Sequence, residues 1–168
     1  KIKELPYKDK IIVLFPTIVI GGDSTHKYTH ITEGLVPNIH YAKILRFFYL
    51  DAKFHFMHAQ DIATVTKHLI THNVPGNSFV FGTKVITGKQ AIKTICKVFN
   101  VPVYFQIKIN AWLALKIAKL FKVDVHPWTE FCLDYPYFEY KTVSPDTFGL
   151  KTQFPDLETT LENIKSLT

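Results

Sequence analysis

The sequence predicts an α/β domain, and three observations carry that reading. Ile11 to Ile20 is a long apolar run rich in β-branched residues, the composition of a buried strand. Segments of strand character alternate with segments of helical period through the first two thirds of the chain. Thr87 is followed three residues later by Gln90, the capping box that opens a helix.

The elements follow in order. Pro16 interrupts the first strand, which places it at a sheet edge or where a ligand replaces a ladder partner. Gly21-Gly22-Asp23-Ser24 is a turn, and Asp23 or Ser24 can cap a helix running to about Leu35, where Val36-Pro37-Asn38 breaks it. Phe48, Phe54 and Phe56 belong to extended structure leading into Met57-His58-Ala59-Gln60. Asp61 is expected to be the N-cap of a helix with Ile62, Val65, Leu69 and Ile70 on one face; losing the cap should cost roughly 1 kcal/mol. Pro75-Gly76-Asn77 is a loop before a short strand, Ser78 to Phe81.

Behind the Thr87 capping box, Ile92, Ile95, Cys96 and Phe99 line one side of a helix while Lys89, Lys93 and Lys97 face water. Val101 to Ile107 reads as extended and Ala111 to Phe121 as helical. Val125 to Gly149 is rich in aromatics and proline without a clean period. Pro155 starts a short final helix carrying Leu157, Leu161 and Ile164. The tail thus reads as a cap added to the α/β part.

At 168 residues the chain has one domain's worth of sequence, and 47% hydrophobic with 20% charged residues excludes the disordered class. A formal charge of +6 favours anionic partners. Cys96 and Cys132 match no metal-knuckle spacing and suggest free thiols in the cytoplasm or another reducing compartment. No signal peptide is visible, and Pro16, Lys108, Asn110 and Lys116 break every stretch that might span a membrane. The chain opens on Lys1 and its one Met is Met57, so a processed, trimmed or partial protein is expected.

Several constellations could carry chemistry. His26, His30 and Glu33 have helical ligand spacing, as do His68 and His72, but Lys27 stands where a zincin would have Glu. Ordinary histidines are the better reading, and no metal is expected. Lys108, Lys116 and Lys119 share a side with Trp112; a solvated helix face opposite a core is preferred there over a membrane-resting or nucleic-acid surface. Tyr-x-x-x-Lys occurs as Tyr49/Lys53 and Tyr137/Lys141, neither within a credible helix. Gly21-Gly22 lacks the third glycine of a dinucleotide fingerprint.

Three segments read together are more specific. LFPTIVIGG (14–22), FHFMHAQDIATVTKHL (54–69) and NSFVFGTKVITGKQAI (77–92) resemble, in order and spacing, the second half of the extended short-chain dehydrogenase/reductases of the NAD(P)-dependent epimerase/dehydratase group. Pro16, Thr17 and Gly21 match that family's cofactor-side strand, where Phe15 replaces the usual Arg. His58, Asp61 and Ala63 match its second element, and Thr87 and Gly88 its third. The resemblance covers about the first hundred residues and thins beyond Val101.

The resemblance implies the C-terminal part of a Rossmann-like protein with a small mixed substrate-binding cap, spanning residues 1–168. Pro16, Thr17 and Ile18 would contact NAD or NADP, and Asp23, His26 and Tyr28 would sit near the mouth of a pocket for a small or nucleotide-linked substrate. The family's glycine-rich loop and Tyr-x-x-x-Lys pair precede the Pro-Thr strand, so no catalytic residue transfers to this chain and the cofactor is expected only with an upstream half. The chain alone should then be inactive, and an unpaired strand flank should favour self-association as a homodimer. The rival expectation is a non-catalytic binding or assembly protein of the same fold, with a membrane-surface role as a variant.

Overall fold

A computed structural model of the chain describes residues 10–26, 42–120 and 127–167, with Glu4 and Thr29 besides; of 127–130 it describes the backbone. In chain order the described elements are β1 (Val13–Pro16), β2 (Ile18–Ile20), α1 (Ala42–Leu45), β3 (Phe48–Leu50), β4 (Lys53–Phe54) and β5 (Phe56–His58). There follow α2 (Ala59–Thr71), β6 (Ser78–Phe81), β7 (Ile86–Thr87), α3 (Gly88–Val98), β8 (Ile107–Ile109) and α4 (Ala111–Leu120). The chain continues through α5 (Pro127–Asp134), a 3-10 turn at Pro145–Phe148, and α6 (Leu157–Ser166).

The apolar run near the start is two strands, not one, because it changes partner at Pro16-Thr17. β1 lies parallel to β6, with Val13 opposite Ser78 and Pro16 opposite Phe81, while β2 lies parallel to β5. The amides of Val13 and Thr17 donate to the carbonyls of Asn77 and Phe81, so odd-numbered positions face β6. Leu14 and Pro16 then face the other flank, where no strand pairs among the described residues. Proline is tolerated there because that flank asks no N–H of it. Phe15 is 51% exposed, so the expected fully buried strand is half-buried.

β3 pairs in parallel with β8, and β4 antiparallel with β7. The described residues therefore form small, mostly parallel sheets interleaved with helices, as an α/β chain should.

β5 is the hub. Phe56, Met57 and His58 are all buried, the mark of a strand covered on both faces. Successive side chains point to opposite faces. Phe56 accordingly joins Ile20, Ala91, Val98, Leu157, Leu161 and Ile164, which tie β2 and β5 to α3 and α6. Met57 joins Val65, Leu69 and Phe81, which tie α2 to β6. Each fully buried side chain of this size contributes roughly 1.5–3 kcal/mol of transfer free energy.

The Thr87–Gln90 capping box forms as read from sequence, and Cys96 is buried beside it in α3 while Lys89, Lys93 and Lys97 are exposed. Other expectations need correction. Asp61 is not a helix cap: α2 begins at Ala59 and His58 caps it, because the ring already presents an acceptor to the Gln60 amide. Ile70 is 75% exposed, since the buried stripe of α2 runs through Val65 and Leu69 and does not turn far enough to include it. The strand expected over Val101 to Ile107 is found instead at Ile107–Ile109, the stretch that β3 pairs. The last helix is capped by Asp156, whose carboxylate accepts from the Thr159 amide, and Pro155 stands outside it. The predicted first helix lies, beyond His26, outside the described residues.

Candidate functional site

Parallel α/β units present ligands at the carboxyl ends of their strands. Here one buried histidine, His58, stands at the carboxyl ends of β2 and β5, and a second, His55, stands at the amino end of β5 beside the carboxyl end of β6. His58 closes β5. Its Nδ1 accepts from the Gln60 amide at 3.2 Å, which leaves the proton on Nε2 to donate to Oδ1 of Asn163 on α6, also at 3.2 Å. The ring stacks on Phe154 with centroids 3.6 Å apart. Gly21, ending β2 with φ +93°, packs directly against the same ring. Burial pushes the His58 pKa down, against the raising effects of the Asn163 hydrogen bond and the Asp61 charge.

One turn into α2, the buried Asp61 carboxylate accepts from the backbone amides of Gln153 at 3.0 Å and Phe154 at 2.9 Å. His58 and Asp61 together therefore clamp the segment that leads into α6 onto the ends of β2 and β5.

His55 occupies the other side. Its Nδ1 donates to the Thr83 carbonyl at 2.7 Å while Nε2 accepts from the Tyr140 amide at 3.1 Å. Thr83 in turn donates through both its amide and its hydroxyl to the Phe56 carbonyl. A Cβ at Gly82 would crowd His55, Thr142 and Thr17 at once, so the end of β6 admits only glycine at that close approach.

The residues matched to the cofactor strand lie beside this cluster. Thr17 donates its hydroxyl to the Phe81 carbonyl at 2.7 Å, Ile18 donates its amide to the His55 carbonyl at 3.3 Å, and Pro16 is exposed. Asp23 is also exposed; its carboxylate accepts from the amides of Thr25 and His26, and these hydrogen bonds hold its pKa below the usual carboxylate value. His26 is an exposed member of the same turn, its Nδ1 3.9 Å from the Asp23 carboxylate. Asp23 and His26 are thus brought together, but on a surface turn. Tyr28, and the His30 and Glu33 of the suggested metal spacing, lie outside the described residues.

Neither Tyr-x-x-x-Lys occurs on a helix: Tyr49 is on β3 and Lys53 on β4, and Tyr137 only bridges to Lys53. Tyr137 is engaged by Asp51, which pushes the phenol pKa up, whereas an acid–base tyrosine needs it lowered. Asp51 itself binds Lys108 at 2.6 Å, which lowers the carboxylate pKa and raises that of the lysine.

An open groove of about 450 Å³ runs along α2, lined by Ala59, Ile62, Ala63, Thr66, Lys67 and Ile70. It is the outer face of a single helix with no polar groups converging on it, so the strand ends remain the candidate site. Sequence reasoning missed His55, Thr83, Phe154 and Asn163. The one signal for His55 was a histidine between two phenylalanines, Phe54 and Phe56.

The class these observations define is an α/β protein with small parallel sheets and its polar cluster at the strand ends. Neither a protein-family model nor a curated protein matches the chain. Solved structures do. One is the crystal structure of gox2253, with a TM-score of 0.60 and 12% identity over 99% of this chain and 51% of that one. Another is PA4631, a nucleoside-diphosphate-sugar epimerase from Pseudomonas aeruginosa, with a TM-score of 0.56 and 10% identity over 98% of this chain and 48% of that one. At such identity the likeness is one of fold. The chain therefore has an epimerase-like α/β fold and spans about half the length of these neighbours.

Proposed function

We propose that the chain is the substrate-side, C-terminal portion of an NAD(P)-dependent oxidoreductase, epimerase or dehydratase-like protein, with the nucleotide-binding half supplied by further sequence. The observation that carries this is a coincidence of order. The three segments that resemble that family fall on β1–β2, β5–α2 and β6–α3, in a chain whose fold matches about half of an epimerase. In this reading Pro16, Thr17 and Ile18 flank the cofactor through backbone and packing, and Asp23, His26 and Tyr28 stand at the substrate side. The His58–Asp61 clamp keeps the strand ends in place, while the cofactor supplies hydride chemistry and the upstream half supplies the acid–base pair.

A titration of NADH and NADPH by fluorescence tests the proposal on two proteins: this chain, and this chain with the coding sequence that adjoins it upstream. The expected result is weak or no binding by the first and saturable binding by the second. Micromolar affinity in the 168-residue chain itself would sink the reading.

A second reading, a non-catalytic binding or assembly protein of the same fold, has its own support. Phe15 stands where the family has Arg, and the Thr17 hydroxyl and Asp23 carboxylate are both engaged by backbone. A glycine-rich loop with an intact Tyr-x-x-x-Lys upstream favours the enzyme; degenerate versions favour the binding protein.

A further inference from the structure

From residue 62 to residue 123 the chain has nine lysines and no aspartate or glutamate. α4 lies inside that stretch. A helix packed on a protein normally hides one stripe of its surface, yet no residue of α4 is buried. Trp112, Leu113, Lys116, Lys119 and Leu120 fall at i, i+1, i+4, i+7 and i+8, on one face, and all are exposed, Trp112 by 62% and Leu120 by 78%. The run leading into the helix continues the pattern, with Tyr104, Phe105 and Ile107 more than half exposed. The expected core side of α4 is only half-covered, by Ala111, Ala114, Leu115, Ile117 and Ala118, and the lysines share the opposite, exposed face with Trp112, Leu113 and Leu120, which a merely solvated face would not carry.

The cations are arranged among the rings. Lys116 Nζ lies 3.8 Å from the centroid of the Trp112 ring, and the Arg46 guanidinium lies over Phe47 and Tyr104. Lys108 is bound to Asp51, but neither Lys116 nor Lys119 has an acidic partner among the described residues.

We propose that α4 and the aromatic run before it rest on an anionic lipid surface. Trp112, Leu113 and Leu120 would enter the boundary between headgroups and acyl chains, and Lys116 and Lys119 would meet the lipid charges. Three arguments select this occupant. A second copy of the chain would bring two acid-free, lysine-bearing faces together, and like charges repel. A nucleic acid would use stacking rings and Arg, whereas this face carries two exposed leucines and the chain has one Arg, Arg46. No described helix is long and apolar enough to cross a membrane, so α4 would lie in the plane of the surface. The inference does not depend on the cofactor reading.

Co-sedimentation of the full chain with phosphatidylcholine vesicles, with and without phosphatidylserine, tests it. Binding should require phosphatidylserine and weaken as salt rises. The Lys116→Gln/Lys119→Gln double variant should lower the partition coefficient roughly twenty-fivefold, at about fivefold per lysine. In a Trp128→Phe background, Trp112 emission should shift to the blue on binding; far-UV circular dichroism of each variant checks that the fold is kept. Equal binding to both vesicles, no binding to either at low salt, or an unchanged partition in the double variant would overturn the proposal. So would tighter binding to single-stranded RNA than to phosphatidylserine vesicles, or a chain dimer that Trp112→Ala dissociates.

Discussion

Gly21 and His58 are in such close contact that a side chain at position 21 would overlap Cδ2 and Nε2 of the imidazole, and Gly21 holds φ +93°. Two demands meet at one residue: a left-handed backbone that ends β2, and room for the ring that ends β5. Gly21→Ala should therefore destabilise the protein by roughly 2–4 kcal/mol, combining backbone strain with overpacking. Urea denaturation measures it. A loss below about 1 kcal/mol would mean that the ring can move aside.

His58 should make stability depend on pH. Unfolded, its imidazole takes a proton near the ordinary value of 6.5; folded, burial holds the pKa lower. Between those two values the unfolded chain binds more protons, so stability is full above about 6.5 and declines as pH falls through that window. Unfolding midpoints at about pH 7.5 and about pH 5 should differ more in the wild type than in His58→Gln. Equal slopes in the two proteins would remove His58 as the source.

Asp61 offers a direct measure of its corrected role. Its two carboxylate oxygens each hold a distant backbone amide, from Gln153 and Phe154. Asp61→Asn turns one acceptor into a donor that faces an N–H, at a cost of roughly 3 kcal/mol, about three times that of a lost cap. Proteolysis should then cut first near Gln153, the segment that the carboxylate holds. Protection of that segment in the variant would contradict the clamp.

Cys96 should be chemically silent. It is buried in α3, and burial pushes the thiol pKa up against the opposing effect of Arg46. A thiol reagent should label one site quickly, the less buried Cys132, and the other only on unfolding. Cys96→Ser should cost about 1 kcal/mol or more by placing a hydroxyl among apolar groups. Rapid labelling of both thiols in the native protein would refute this.

The outer flank of β1 should exchange readily. The Val13 and Thr17 amides are bonded to Asn77 and Phe81, whereas Leu14 faces the flank without a strand partner among the described residues. Hydrogen exchange should find Leu14 fast between two protected neighbours, and the chain should self-associate as concentration rises. A monomer with a protected Leu14 amide would show that this edge is closed.

Local chemistry was legible in the sequence by itself. The Thr87–Gln90 capping box needs only neighbours a few residues away, and it is where the residues put it. The apolar face of α3 is so in part, with Cys96 buried and Ile95 and Phe99 packed against the core, while Ala91 and Val98 are its other buried residues. The turn expected at Gly21-Gly22 falls at Asp23–His26. The order of the three family-like segments was legible too, since order is a property of the chain. Contacts across long stretches were not. Asp61 has the composition of a cap, and only the approach of residues 153 and 154 shows what its carboxylate binds. The run from Ile11 to Ile20 has the composition of one strand, and only its change of partner from β6 to β5 divides it. α4 has the period of a core helix, and only the tertiary structure shows that its Leu115–Ala118 side is half-covered while Trp112 and Leu120 stay in the open. Composition and period report what a segment is able to bury; which surface arrives to cover it depends on residues far along the chain, and the tertiary structure alone brings those together.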